Sequence, residues 1–254
     1  MLSRPTRSAR RLTVVTAALI VASLAPPRAQ NQDVVSRPSI PEGLRGVPDL
    51  PEDLPEGWYA RLDTDRGAIV VRLLPNQAPQ SVAHFAALAE GRLSWTDPFS
   101  GRESTGPYYD GTVIHKTLAG ERFEAGDRTG TGRGAPPYFV PPEGFGPVNF
   151  VGPWRMGMTR LAGGTISGVV FFLTVASQPS LNGKHPCVGE IVAGEDVVWD
   201  ITLAETTSND TPREPIVIHK VRVHAVGQPV ALPEPIAYVP TRHKPAPRPR
   251  PLEP

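Results

Sequence analysis

The sequence predicts a mainly β domain, a closed antiparallel β-barrel of about eight strands capped by two α-helices. Three observations predict it. Short β-branched runs bounded by turn residues recur along the middle of the chain, and only two segments carry helical periodicity. Strands and helices also fail to alternate as a parallel sheet requires. Closure would remove the exposed edges that such a sheet otherwise presents.

The elements follow in order. Trp58 to Asp63 and Ala68 to Leu74 are apolar runs separated by the turn-forming Thr64-Asp65-Arg66-Gly67. Val82, Phe85, Leu88 and Ala89 recur at helical spacing, with Pro79 near the start and Gly91 placed to end the helix. Residues 92 to 107 form a polar excursion. Strands are expected at Val113 to Thr117, Arg122 to Ala125, Val169 to Val175 and Cys187 to Val192. Gly194 to Ala204 reads as a short second helix, and Ile216 to Val223 as the closing strand.

Composition bounds the rest. The 31 prolines cluster before Trp58 and after Gly227, which leaves 58–228 as the expected barrel domain. Residues 31–57 read as a Pro-rich spacer and 229–254 as a basic Pro-rich tail favouring polyproline II. A net charge of +1 gives no basis for nucleic-acid binding. The single cysteine, Cys187, excludes an intramolecular disulfide and reads as a buried thiol in a strand. Arg4, Arg7, Arg10 and Arg11 precede an apolar run from Leu12 to Ala25, which is too short to span a membrane. Residues 1–30 are therefore expected to be an export signal. The protein would then be periplasmic or extracellular, the alternative being an uncleaved N-terminal anchor. The tail's charge allows contact with an anionic envelope surface. A monomer is expected.

The densest motif is Tyr108 to Asp127, Y-Y-D-G-T-V-I-H-K-T-L-A-G-E-R-F-E-A-G-D. It resembles the signature hairpin of the cyclophilin-type peptidyl-prolyl isomerases, with Tyr109, Asp110, Gly111, His115, Gly120, Gly126 and Asp127 in register. The resemblance continues in family order through D-R-G-A-I-V-V-R-L-L-P-N-Q-A-P, G-T-G-R-G, Phe171-Phe172-Leu173 and L-N-G-K-H-P-C-V-G, covering roughly Tyr59 to Val226. It implies a cyclophilin-like barrel and an isomerase acting on X-Pro bonds, which the expected export signal would place on envelope proteins. No cofactor or metal is implied, and the histidines lack neighbours at metal-ligand spacing.

The same resemblance assigns the site residue by residue. His115, Phe172, Leu181 and His185 match substrate-contacting positions. Lys116 stands where the family has its catalytic Arg, and Glu124 where it has the supporting Gln. Glu121 and Arg122 occupy apolar Phe and Met positions, and Val170 replaces a Gln. Lys116 and Glu124 are expected to attract across the hairpin, tethering the lysine. His115 is expected to satisfy backbone groups in the barrel wall. The implied activity is weak, because a Lys lacks the rigid donor fork of an Arg and charge has entered the pocket. The alternative is an impaired module that binds extended or Pro-containing segments; a third reading is a structural envelope protein whose tails do the binding.

Overall fold

The computed structural model describes residues 50–134, 137–143, 146–161, 164–236 and 238. The export segment, most of the spacer and the end of the tail lie outside the described residues.

Thr64 makes the first hairpin turn. Its hydroxyl donates to the Gly67 carbonyl at 2.8 Å and accepts from the Arg66 amide at 3.1 Å, closing β1 (Gly57–Thr64) onto β2 (Gly67–Leu73). Pro79 then opens α1 (Pro79–Ala89), where its missing N–H costs nothing. The free amides of Gln80 and Ser81 are taken by the Glu143 carboxylate, which caps the helix from a distant loop. Residues 81–89 of α1 are all buried, so the helix lies within the curl of the sheet rather than on its surface.

The polar excursion forms a small hairpin of β3 (Trp95–Thr96) and β4 (Glu103–Ser104). After it come β5 (Thr112–Val113), β6 (Lys116–Leu118), β7 (Arg122–Ala125) and β8 (Phe139–Val140). The chain continues through β9 (Arg155–Arg160), β10 (Ile166–Thr174), β11 (Cys187–Ala193), α2 (Glu195–Thr202) and β12 (Val217–Val226). The main sheet runs β5-β12-β1-β2-β11-β9-β10-β7-β6, with β8 added on β10, and every pairing is antiparallel.

Closure was expected, and the sheet is instead a curled half-barrel. Its two ends, β5 and β6, are successive pieces of one chain run and do not pair with each other. The run expected as one strand, Val113 to Thr117, divides because neighbouring amides face different ladders. The Ile114 amide donates to Ile216 on the β12 side at 3.0 Å, and the His115 amide to Glu124 of β7 at 3.1 Å.

The inner face of the sheet packs against α1. Phe85 lies 5.0 Å from Tyr109 and 5.7 Å from Phe171 between ring centroids, and Tyr109 and Phe171 meet edge-on at 5.7 Å. The Tyr-Asp-Gly turn is pinned to β12 by a two-pronged Asp110–Arg222 ion pair at 2.9 and 2.8 Å. The tail was expected to leave the body at Gln228, but it continues along it. Trp58 Nε1 donates to the Val230 carbonyl at 2.9 Å, the His84 ring nitrogen meets the Ile236 carbonyl at 2.9 Å, and Tyr238 bridges Phe139. Backbone groups of Val230, Ile236 and Tyr238 thus find partners on β1, α1 and β8, which composition alone does not reveal.

Candidate active site

Strand register assembles the site. Lys116 of β6 lies opposite Glu124 of β7, Glu124 opposite Phe172 of β10, Phe172 opposite Gly157 of β9, and Gly157 opposite Cys187 of β11. Residues paired across a ladder point to the same face. On these strands Phe123, Phe171 and Leu173 lie in the inner core and Thr117 is buried, so the row Lys116–Glu124–Phe172 lies on the outer face. Val170, two residues before Phe172 on β10, is buried and packs with the main core.

Phe172 belongs to a small apolar cluster with Phe150, Leu181 and Cys187. Its ring lies 5.4 Å from Phe150 and meets the His185 ring edge-on at 5.3 Å. Gly157 makes room for both phenyl rings, since a Cβ there would overlap Phe172 and approach Phe150 to 2.8 Å. Leu181 ends a single 3-10 turn, Pro179–Leu181, and the His185 amide donates to its carbonyl at 3.1 Å. Burial holds the Cys187 thiol up at about 11, which keeps it an inert member of this cluster.

The charged residues do not pair as expected. Lys116 and Glu124 are in register, yet Glu124 engages Arg122, with Arg122 Nε donating to its carboxylate at 3.3 Å. No Lys116–Glu124 ion pair forms among the described residues. The reason is local: Arg122 and Glu124 are two apart on one strand face, and the guanidinium is also anchored elsewhere. Arg122 Nη1 donates to Gln178 Oε1 at 2.9 Å and lies 3.6 Å from Glu121. Gln178 Nε2 donates back to Glu121 at 3.2 Å. Gln178 is itself buried, and its amide donates to the Phe150 carbonyl at 2.6 Å. Sequence reasoning missed Gln178 and Phe150, because neither lies in a motif and only the fold brings them here.

The two histidines differ. His185 Nδ1 accepts from the Arg160 amide at 3.1 Å, which leaves its proton on Nε2. His115 was expected to satisfy backbone groups, but its Nδ1 is buried with no hydrogen-bond partner among the described residues. Its ring packs against Gly132, where a Cβ would come within 2.7 Å.

Burial is the leading cause that lowers His84, His115 and His185 from the usual 6.5. The folded protein therefore resists protonation that the unfolded chain accepts. Their contribution to stability is complete above about pH 6.5 and is lost as pH falls through the lowered folded values. Thermal midpoints should fall between about pH 7 and about pH 5, and less steeply in a His84→Gln, His115→Gln variant. A flat profile over that range would remove the argument.

The sequence model of the family described as "Cyclophilin type peptidyl-prolyl cis-trans isomerase/CLD" matches residues 59–223. The chain is 41% identical over 171 residues to "Peptidyl-prolyl cis-trans isomerase B" of Streptomyces anulatus, covering 66% of this chain and 97% of that protein. It is 37% identical over 166 residues to "Peptidyl-prolyl cis-trans isomerase A" of Mycobacterium tuberculosis, covering 65% and 91%. A similar fold occurs in a Cryptosporidium parvum cyclophilin-type isomerase crystallised in the presence of the dipeptide Ala-Pro, at TM-score 0.57 and 23% identity, covering 66% of this chain and 99% of that one.

Proposed function

The chain belongs to the cyclophilin-type peptidyl-prolyl cis-trans isomerase family, and from that premise we propose that it turns X-Pro bonds at the outer face around Phe172, Leu181 and His185. Rotation about the peptide bond faces a barrier of ~18–20 kcal/mol because resonance stiffens C–N. Lowering it needs an apolar wall for the proline ring and a fixed hydrogen-bond donor for the twisted state. The observation that carries the reading is the register row that sets Phe172 beside Glu124 and Lys116, with His185 edge-on to its ring.

The activity is reduced relative to family members that keep the catalytic Arg. Phe172 is 2% exposed and Leu181 8%, so little apolar wall is open to a proline ring. The Glu121–Arg122–Gln178 bridge stands on the same face and must shift before a ring can enter. Lys116 offers one compact charge on a flexible stem in place of a planar fork of donors. The reading extends to export, supported by the basic n-region and short apolar run, with clients among envelope proteins that carry Pro segments.

A second reading, a module that binds Pro-containing segments without turning them over, is favoured by the burial of Phe172. NMR exchange spectroscopy of an Ala-Pro peptide with the full chain separates the two. We expect exchange to be accelerated, about 10²-fold below a cyclophilin with an intact donor. Glu121→Phe with Arg122→Met should raise the rate by restoring apolar wall. Shift changes without exchange in both proteins would select the binding module.

A further inference from the structure

Beside the Phe172 wall lies a second cavity of about 400 Å³, its lining including His115, Lys116, Glu124, Arg133, Asn209 and Thr211. Its charge is unbalanced. Glu124, the one carboxylate in the lining, is engaged by Arg122, which stands outside it. The side chains of Lys116 and Arg133 make no ion pair or hydrogen bond among the described residues. Arg133 is nonetheless well placed. The Asp127 carboxylate accepts from the amides of Thr129 at 2.9 Å and Gly134 at 3.0 Å and from the Thr131 hydroxyl at 3.3 Å, holding the loop on both sides of Arg133. The opposite wall is held as well, by the Thr117 amide donating to the Asp210 carbonyl at 2.8 Å. The Asp210 residue is not part of the lining. His115 adds no charge near neutral pH, since burial lowers its pKa.

We propose that this cavity is a subsite for an acidic side chain of the substrate, so that the preferred clients carry Asp or Glu close to the proline. The inference rests on the isomerase reading for the position of the proline. Lys116 and Arg133, the Thr211 hydroxyl and the Asn209 amide form a donor set suited to a carboxylate. Lys116 is two ladder steps from Phe172, roughly 10 Å, which an extended peptide spans in about three residues. The acid therefore belongs within about three positions of the proline.

The test uses the full chain and Ala-rich peptides with one proline. A single Glu, or Gln as its neutral match, is moved over the three positions on either side of it. Dissociation constants come from amide-shift titration, and turnover from exchange spectroscopy. At the matching position Glu should bind about tenfold more tightly than Gln, an advantage that shrinks in about 0.5 M salt. Lys116→Gln with Arg133→Gln should erase the advantage, and Lys116→Arg with Arg133→Lys should keep it; the amide spectrum reports that each variant is folded. Equal affinities at every position, or an advantage that survives the neutral double variant, overturn the subsite. Accelerated exchange without acid preference overturns the subsite alone. Acid-selective binding without exchange keeps the subsite and overturns the isomerase reading.

Discussion

Gly126→Ala should cost about 3 kcal/mol or more, enough to leave the domain partly unfolded at ordinary temperature. Two penalties combine. Gly126 has φ of +96°, a conformation that L side chains rarely adopt. An added Cβ would also run into the Val169 carbonyl oxygen of β10 and come within 3.2 Å of the Phe171 ring. The obstacle is backbone within β10, so no side chain can swing aside. Gly111→Ala is the control, because φ is +78° there but nothing lies within 4 Å of the added carbon. It should cost about 1 kcal/mol, from the backbone penalty alone. Urea unfolding of both variants measures the difference; equal losses would mean that the Val169 clash relaxes without cost.

Phe172→Ala should remove both stability and any action on proline. The side chain is 2% exposed and packs on Phe150 and His185, so its loss leaves a cavity costing about 3 kcal/mol. Exchange on an Ala-Pro peptide should fall to the uncatalysed rate. Phe172→Leu separates the two effects, because it fills most of the space and should cost only about 1 kcal/mol. If Phe172→Leu folds and still turns over at the parent rate, the proline wall lies elsewhere.

Much of this was legible in the sequence because it is local. Pro79 opens α1, Gly126 has the positive φ its place in the signature demands, and the Thr64–Gly67 turn sets the first hairpin. The Lys116–Glu124 facing was also legible, through the resemblance of the hairpin to the family's, in which these two positions lie on facing strands. Strand β9 was not. Its R-M-G-M-T-R has charged ends and a glycine, and Gly157 is there to clear the rings of Phe150 and Phe172 from other parts of the chain.

By itself the sequence determined the β-rich class and the two helices, through periodicity and turn chemistry, and the family, through ordered motifs. Tertiary structure alone decided what the side chains at the site do to each other. Glu124 takes Arg122 rather than Lys116 because Gln178, distant in the chain, anchors the guanidinium on that side. The sheet remains open because Ile114 and His115 donate to different ladders, and the tail docks at Val230, Ile236 and Tyr238 because Trp58, His84 and Phe139 meet their backbone. Each outcome depends on groups far apart in sequence, whose separation in space is set only when the sheet curls.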